Sequence, residues 1–210
     1  MRQKATLLNR MVCASILAIC TLLVIGYICM QQQHKLSSKL IRLHVIANSD
    51  SEFDQSLKHT VRDRIIEELD LLLSGANGID EAGQILAENL SAIEDSAKEV
   101  LLKKGCTYEV CADLSDEFYP TRNYDTFSLP AGLYKSLRVI IGEGSGKNWW
   151  CVVFPPLCFA GAQEFEEAAR AAGLSENEIR LISEQNETVV FRFRILELLE
   201  KLIEYISIKK

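Results

Sequence analysis

The 210-residue sequence contains only three histidines and four prolines, and no segment of it repeats. No proline-rich or serine-rich linker divides the chain after its N-terminal segment, so we predict a single domain there. The scarcity of histidine also limits metal sites. The cysteine spacings C-x4-C (Cys106 and Cys111) and C-x6-C (Cys151 and Cys158) have no histidine nearby and match no zinc pattern. No metal or other cofactor is therefore expected.

Basic charge is also scarce outside the N-terminus. Residues 35–210 carry all 29 acidic side chains but only 20 basic ones, a net charge of −9. Such a domain repels nucleic-acid backbones, so a nucleic-acid partner is not expected. The glycine-rich segment 142–148 does not match a phosphate-binding loop, because Ile141 and Asn148 stand where the motif needs glycine and serine or threonine. We interpret this segment as the turn of a β-hairpin.

A long hydrophobic run occurs at Met11–Met30, directly behind Arg2, Lys4 and Arg10. About twenty apolar residues in a helix span a hydrocarbon core of about 30 Å. A basic start before such a run is also typical of an export signal, but the residues that follow lack the small-residue pattern of a cleavage site. We favour an uncleaved signal-anchor over a removed signal peptide. The predicted organisation is a basic cytoplasmic segment at 1–10, a membrane segment at 11–30, a stalk at 31–39 and an extracytoplasmic domain at 40–210.

Hydrophobic periodicity predicts an α+β domain behind this segment. Residues 40–47 alternate as a strand does, with one face formed by Ile41, Leu43 and Val45. The other predicted elements are helices at about 53–72 and 80–103, strands at 107–114, 132–141 and 149–154, and helices at 163–172 and 175–185. We predict a mixed or antiparallel sheet packed by amphipathic helices, in the order β-α-α-β-β-β-α-α, with a final helix at about 194–208.

An enzymatic interpretation competes with a binding role. His44, with Asp50 or Asp54 and a thiol from Cys151 or Cys158, would form the Cys–His site of an envelope hydrolase or thiol enzyme. The apolar residues around both cysteines favour burial of the thiols. Asp50 and Asp54 are adequately explained as residues at the start of a helix. His44 is adequately explained as a strand histidine that is hydrogen-bonded to a neighbour. We therefore expect a protein that is not an enzyme.

The cysteines at 151 and 158 leave two possibilities open. Cys151 and Cys158 are separated by Pro155-Pro156, a turn that could bring them together. Outside the cytoplasm the pair could form a disulfide. Two reduced, buried thiols explain the same pattern.

Two segments have the composition of a partner-binding surface. Adjacent side chains on a strand point to opposite faces, so one of Trp149 and Trp150 can face outward as an interface hot spot. Alternatively, helices cover both faces of the sheet and bury both rings. The loop at 116–130, with aromatic residues among charges, is the second candidate surface. The candidate partner-binding residues are Tyr119, Arg122, Tyr124, Lys147, Asn148, Trp149 and Trp150.

Two blocks of the sequence resemble those of a known family. The first is residues 41–51 (IRLHVIANSDS), followed by 54–58 (DQSLK) and 61–63 (VRD). The second comprises residues 129–134 (LPAGLY), 137–142 (LRVIIG) and 148–158 (NWWCVVFPPLC). In this order the two blocks resemble the stage II sporulation protein R family.

The resemblance implies a protein that is made in the forespore of an endospore-forming bacterium and exported into the space between the forespore and mother-cell membranes. There it would activate a membrane-embedded aspartic protease of the mother cell, which cleaves the inactive precursor of the mother-cell sigma factor E. The implied role is that of an activating ligand, and the family supplies no catalytic residues to transfer. We expect a single-pass membrane protein with an extracytoplasmic domain, or a secreted protein.

Overall fold

The computed structural model describes residues 2–158 and 162–183. Its first element is the helix α1 (Arg2–Ser37), of which Arg10–Ser37 is long and apolar enough to cross a membrane, by length and composition. This helix is consistent with a membrane anchor or a signal sequence. The other helices are α2 (Glu52–Leu73), α3 (Ile79–Glu88), α4 (Leu90–Lys103), α5 (Ala162–Ala171) and α6 (Glu176–Ser183). The strands are β1 (Ile41–Ile46), β2 (Val110–Tyr119), β3 (Arg122–Asn123), β4 (Ser128–Leu129), β5 (Gly132–Ile141) and β6 (Asn148–Phe154).

Four strands form one mixed sheet in the order β2-β5-β1-β6. β1 lies inside the sheet, where it is parallel to β5 and antiparallel to β6. β2 is antiparallel to β5 and forms one edge, while β6 forms the other. β3 and β4 form a separate two-stranded ribbon. The predicted α+β fold, with a mixed sheet packed by helices, is confirmed.

The alternation along β1 separates two hydrophobic cores. Ile41, Leu43 and Val45 are fully buried on the first face of the sheet, against α2, α3 and α4. Helix α2 contributes one apolar stripe, because residues three and four positions apart lie on the same side of a helix. The stripe comprises Leu57, Val61, Ile65, Ile66, Leu69 and Leu73. This first core therefore fixes the orientation of α2 on the sheet.

The second face of the sheet carries Arg42 and His44. It is partly covered by α5, α6, the β3–β4 ribbon and the end of α1. Leu36, in the last turn of α1, is fully buried in this second core. Lys39 follows α1 and binds Glu178 of α6, with 2.8 Å between Nζ and Oε2. These contacts join the end of α1 to the domain.

The predicted β-hairpin at 142–148 is wrong. β5 and β6 do not pair with each other, because β1 lies between them and bonds to both strands. The glycine-rich segment therefore crosses the end of β1. A glycine-rich connection between two strands has the same local sequence in either arrangement, so sequence pattern alone does not separate them.

Other boundaries also differ from the predictions. The predicted helix at 80–103 is interrupted at Asn89, whose side chain donates a hydrogen bond to the carbonyl oxygen of Ile85 at 2.8 Å. Such a bond to the preceding turn competes with regular helix geometry. The segment predicted as a loop at 116–130 includes the end of β2 and all of β3 and β4. The predicted helix at 194–208 lies outside the described residues.

Candidate partner-binding site

The two ends of the sheet differ in their distance from α1. Gly132, the first residue of β5, lies against the side chain of Gln33 in α1. Because β1 and β5 are parallel, both strands start near α1 and both finish at the opposite end of the sheet, which we call the distal end. β1 has six residues, so at about 3.3 Å per residue the two ends are about 20 Å apart.

Two loops bind each other at the distal end. The first comprises residues 47–51, between β1 and α2, and the second comprises residues 142–147, between β5 and β6. Ser145 donates two hydrogen bonds to the carbonyl oxygen of Asn48, from its backbone nitrogen at 3.2 Å and from Oγ at 2.6 Å. We call this pair the distal loops. They bring together the two sequence blocks that resemble the sporulation family.

Side chains of the first loop and of α2 hold the second loop. Asn48 Oδ1 accepts a hydrogen bond from the backbone nitrogen of Glu143 at 2.9 Å, and Asp50 Oδ1 accepts one from that of Lys147 at 2.7 Å. Lys58 of α2 is only 3% exposed and donates to the carbonyl oxygen of Lys147 at 3.0 Å. Burial lowers the pKa of Lys58. The second loop is thus fixed by side chains as well as by its own backbone.

Two glycines allow the loops to approach this closely. The backbone nitrogen of Gly146 donates to the carbonyl oxygen of Ala47 at 2.9 Å, and a Cβ atom on Gly146 would lie 2.3 Å from the carbonyl oxygen of Ser49. Gly142 adopts φ +58°, and a Cβ atom there would lie 2.3 Å from Oδ1 of Asn48. Only glycine adopts such positions without strain. Gly142 and Gly146 are therefore explained by the close packing of the two distal loops.

Asp54 anchors the first distal loop to the start of α2. Its carboxylate accepts hydrogen bonds from Ser49 Oγ at 2.6 Å and Asn48 Nδ2 at 2.8 Å. Its backbone nitrogen donates to Oγ of Ser51, the N-cap residue of α2, at 3.1 Å. The hydrogen bonds from Ser49 and Asn48 hold the pKa of Asp54 below its ordinary value. Asp54 is therefore a structural residue at a helix start.

Three of the predicted partner-binding residues lie beside the distal loops. Lys147 and Asn148 are exposed, and Trp149 is half-buried. The Trp149 ring packs against the first core, and the Arg62 guanidinium lies 4.8 Å from the ring centroid. A cation at this distance from a ring is attracted to its face. The distal end thus presents a positioned aromatic ring flanked by positive charge.

A second cluster lies on the second face of the sheet and is centred on Arg42, which is 0% exposed. Arg42 donates a hydrogen bond to the hydroxyl of Tyr124. Its guanidinium lies 3.9 Å from the ring centroid of Tyr119 and 5.0 Å from that of Tyr134. Its Nε and Nη1 atoms are buried without a hydrogen-bond partner. Aromatic faces therefore provide most of the environment of this buried cation.

A chain of hydrogen bonds connects His44 to Tyr119. His44 Nδ1 lies 2.8 Å from Glu117 Oε1, and Ser136 Oγ donates to Glu117 Oε2 at 2.8 Å. The Tyr119 hydroxyl lies 2.7 Å from Ser136 Oγ. Both carboxylate oxygens of Glu117 are thus engaged. The second ring nitrogen of His44, Nε2, is buried without a partner.

Arg122 and Trp150 form the outer layer of this cluster. The Arg122 guanidinium lies 3.6 Å from the ring centroid of Trp150, whose ring lies 5.5 Å from that of His44. Arg122 Nε is buried without a partner, and burial lowers the pKa of Arg122. Burial raises the pKa of Tyr124. We call this group the cationic cluster, consisting of Arg42, His44 and Arg122 with the rings of Tyr119, Tyr124 and Trp150.

The structure divides the seven predicted residues between these two places. The distal end contains Lys147, Asn148 and Trp149, and the cationic cluster contains Tyr119, Arg122, Tyr124 and Trp150. Tyr119 is only 1% exposed, so its side chain offers no contact surface in this conformation. Trp149 and Trp150 point to opposite faces, as alternation requires, but both are half-buried. Binding of a partner by these residues stays a prediction.

The roles of Arg42, Glu117 and Ser136 were missed by sequence analysis. A lone arginine on an alternating strand is usually exposed, and nothing local distinguishes Arg42 from that case. The rings around it come from β2 and β5, and the hydroxyl comes from Tyr124 between β3 and β4, so these groups meet Arg42 only in the folded domain. A signal that could have found the cluster is the recurrence of polar residues on one face of each predicted strand.

The predicted Cys–His site is not formed. Cys151 and Cys158 are joined by a disulfide, with their Cα atoms 5.4 Å apart. Cys151 lies in the first core, on the face of the sheet opposite to His44. Cys106 and Cys111 remain free. Within residues 2–158 and 162–183, no group of three histidine, cysteine or acidic side chains is arranged to hold a metal ion.

Comparison with known proteins agrees with the family suggested by the two sequence blocks. A model of the family described as stage II sporulation protein R matches residues 37–164. The chain is 40% identical over 119 residues to stage II sporulation protein R of Bacillus subtilis (strain 168), which covers 57% of this chain and 53% of that protein. The chain thus spans about half the length of this relative. No solved structure matches. The matched region includes the distal loops and the cationic cluster, and the chain belongs to the stage II sporulation protein R family.

Proposed function

We propose that this chain is an exported signalling protein that binds and activates a membrane-embedded aspartic protease of the mother cell. The activated protease would then cleave the precursor of the mother-cell sigma factor E. Membership of the family supports a role in sporulation signalling. The apolar helix α1 supports export, because it has the length and composition of an anchor or a signal sequence.

The position of the distal loops is the observation that carries the proposal. If α1 lies in the forespore membrane, the sheet starts near that membrane and its distal end is directed away from it. A receptor in the opposite membrane would meet the distal end first. The predicted residues Lys147, Asn148 and Trp149 lie there, at the end of the second distal loop and the start of β6.

Fixed loops suit an activating ligand. A ligand shifts its partner toward an active state only by binding that state more tightly than the inactive one. Hydrogen bonds accepted by Asn48 and Asp50 and donated by Lys58 fix the second distal loop within the free protein. Little ordering entropy is then lost on association, so more of the contact energy is available to discriminate between the two receptor states.

Reconstitution in a non-sporulating host tests the proposal. This chain would be co-expressed with the receptor protease and the sigma precursor, with and without residues 1–34, and precursor cleavage would be followed by immunoblot. We expect cleavage that requires both this chain and its export. If no cleavage occurs with all three proteins present and correctly located, the proposed function is wrong.

A charge reversal at the distal end localises the contact. Lys147→Glu changes an exposed side chain whose backbone, not its ammonium group, holds the loop. Lys104→Glu, at the C-terminal cap of α4, is the matched control. We expect Lys147→Glu to reduce cleavage by about tenfold, the effect of about 1.4 kcal/mol in binding, and Lys104→Glu to leave it unchanged. Equal effects of the two variants would contradict contact at the distal end.

A further inference from the structure

The cationic cluster has buried positive charge without a matching anion. We propose that it is an oxyanion-binding site that receives the carboxylate of an acidic side chain of the partner protein. The identity of this partner as the receptor protease rests on the proposed function. The oxyanion site itself follows from the geometry of Arg42 and Arg122.

Arg42 is the strongest evidence. A buried charge is costly unless it is paired and hydrogen-bonded. Arg42 is 0% exposed, yet its Nη2 atom donates to the neutral hydroxyl of Tyr124, and Nε and Nη1 have no partner. Within the described part of the chain, no carboxylate forms an ion pair with Arg42. Nη2 carries two hydrogens and donates one of them to Tyr124, so its second hydrogen, together with that of Nε or Nη1, forms one fork for the two-pronged binding of a carboxylate.

Arg122 adds a further unsatisfied donor to the same cluster, and His44 adds a ring nitrogen whose role depends on the tautomer. Arg122 Nε and His44 Nε2 are both buried without a partner. Arg42 and Arg122 both lie close enough to the Tyr124 hydroxyl to lower its pKa, against the larger raising effect of burial. The two guanidinium groups are therefore near one another. Two cations in proximity, each with unused donors, are stabilised by an anion placed between them.

The acidic side chain beside the cluster, Glu117, already forms hydrogen bonds with both of its carboxylate oxygens. Glu117 uses one oxygen to bind His44 Nδ1 and the other to accept from Ser136 Oγ. It fixes the orientation of the histidine ring and leaves Nε2 of His44 facing away from the carboxylate. The cluster thus has an internal carboxylate that positions His44 but does not satisfy the two arginines.

The rim of the cluster is reachable from solvent. Arg122, Tyr124 and Trp150 are half-buried, and Asn123 beside them is exposed, whereas Arg42 lies beneath them. Aromatic and arginine side chains around a buried floor are typical of interface hot spots. The net charge of −9 over residues 35–210 disfavours a polyanion such as nucleic acid. A single carboxylate on a protein segment fits both the local charge and the surrounding acidity.

The first test measures anion binding by the full chain in detergent. A Trp149→Phe background leaves Trp150 as the sole tryptophan, because the chain has two. Sodium acetate would replace sodium chloride at constant ionic strength and pH 7 while Trp150 fluorescence is recorded. We expect a saturable change that is lost in Arg122→Gln and kept in Arg138→Gln. Arg138 is the matched control, because it lies on the same sheet face but is paired with Asp113 at 2.9 Å.

A response that does not saturate, or that persists unchanged in Arg122→Gln, would overturn the oxyanion site. Arg42→Met provides a second check through stability. If Arg42 stays unpaired until an external anion binds, Arg42→Met should leave the midpoint of thermal unfolding unchanged or higher and should abolish the acetate response. If the midpoint falls while the acetate response remains, Arg42 has only a structural role and the assignment is wrong.

Precursor cleavage in the reconstituted host then separates the sources of the carboxylate. In the native background we expect Arg122→Gln to lower cleavage by about tenfold or more, and Arg138→Gln to leave it unchanged. If the acetate response depends on Arg122 but Arg122→Gln still triggers normal cleavage, the site takes a free carboxylate and not one from the partner. If the wild-type chain itself triggers no cleavage, the proposed function fails, and the acetate titration still decides the oxyanion site.

Discussion

Replacing Gly146 with alanine tests whether the close approach of the distal loops stabilises the domain. A Cβ atom at this position would lie 2.3 Å from the carbonyl oxygen of Ser49 and 3.0 Å from the Cβ atom of Ala47. The nearest obstacle is backbone, which cannot rotate away as a flexible side chain does. One of the two loops must therefore move.

The size of the effect follows from the hydrogen bonds that such a movement disrupts. They are the bond from Gly146 nitrogen to the Ala47 carbonyl oxygen and the two that Ser145 donates to the carbonyl oxygen of Asn48. Each contributes about 1 kcal/mol. Alanine also restricts the unfolded chain, which returns about 0.4–1 kcal/mol. We therefore expect Gly146→Ala to lower the free energy of unfolding by about 2 kcal/mol.

Urea unfolding of the full chain in detergent, followed by tryptophan fluorescence, measures this loss. Gly75→Ala is the matched control, because a Cβ atom there meets nothing within 4 Å and the backbone is not in the left-handed region. It should leave stability unchanged or raise it by up to about 1 kcal/mol. If Gly146→Ala is no less stable than Gly75→Ala, the close contact between the loops contributes nothing, and the account of the glycine pattern is refuted.

Three further predictions concern the interior of the domain. Asp54→Asn should cost about 2–3 kcal/mol at pH 7, because it replaces a charged acceptor of two hydrogen bonds. Because the pKa of Asp54 is lowered in the folded protein, its contribution is present above the ordinary pKa of 3.8 and is lost as the pH falls through the lower pKa of the folded state. Urea titrations should therefore show the stabilities of wild type and Asp54→Asn converging in acid. A difference that stays constant down to pH 2 would contradict this. Cys158→Ser opens a loop with a sequence separation of 7 and should cost about 2.5 kcal/mol, with reduced wild type behaving like the variant in thermal unfolding; insensitivity of the wild type to reductant would argue against the disulfide. Ile65→Ala, fully buried, should cost about 2–5 kcal/mol in urea unfolding, whereas Leu71→Ala in the same helix, 78% exposed, should change stability by less than about 0.5 kcal/mol; similar losses would mean that the stripe on α2 is misassigned.

Local sequence patterns predicted the helices and strands whose formation depends on neighbouring residues, such as β1 and α2. The alternation at 41–46 defined β1 and both of its faces, and the apolar spacing along 53–72 defined α2. Asn89 shows the limit within a helix, because its side-chain bond to the preceding turn interrupts a continuous apolar periodicity. Both the alternation and the apolar spacing can be read from residues that are neighbours in the sequence.

Pairing between strands that are distant in the chain determines the features that local sequence patterns did not predict. The insertion of β1 between β5 and β6 turned an expected hairpin into a connection that crosses the end of β1. The same pairing buries Arg42, because Tyr119 and Tyr134 come from other strands of the sheet. Register places such residues together, and register is fixed by contacts far apart in the chain. Composition therefore selected two candidate segments, but it did not predict that Trp150 lies with Arg122 of the other segment and not with its neighbour Trp149.

The two clusters share one strand, and this constrains how they can act. Trp149 and Trp150 are adjacent on β6, with one ring in the first core and the other in the cationic cluster. Both pair with β1, opposite Val45 and His44. A packed sheet transmits displacements between neighbouring residues, so a shift of the second distal loop at the start of β6 would reach both rings. On the two proposals made above, a partner that binds the distal loops would therefore also influence the position of Trp150 against Arg122, and the two surfaces would form one binding unit.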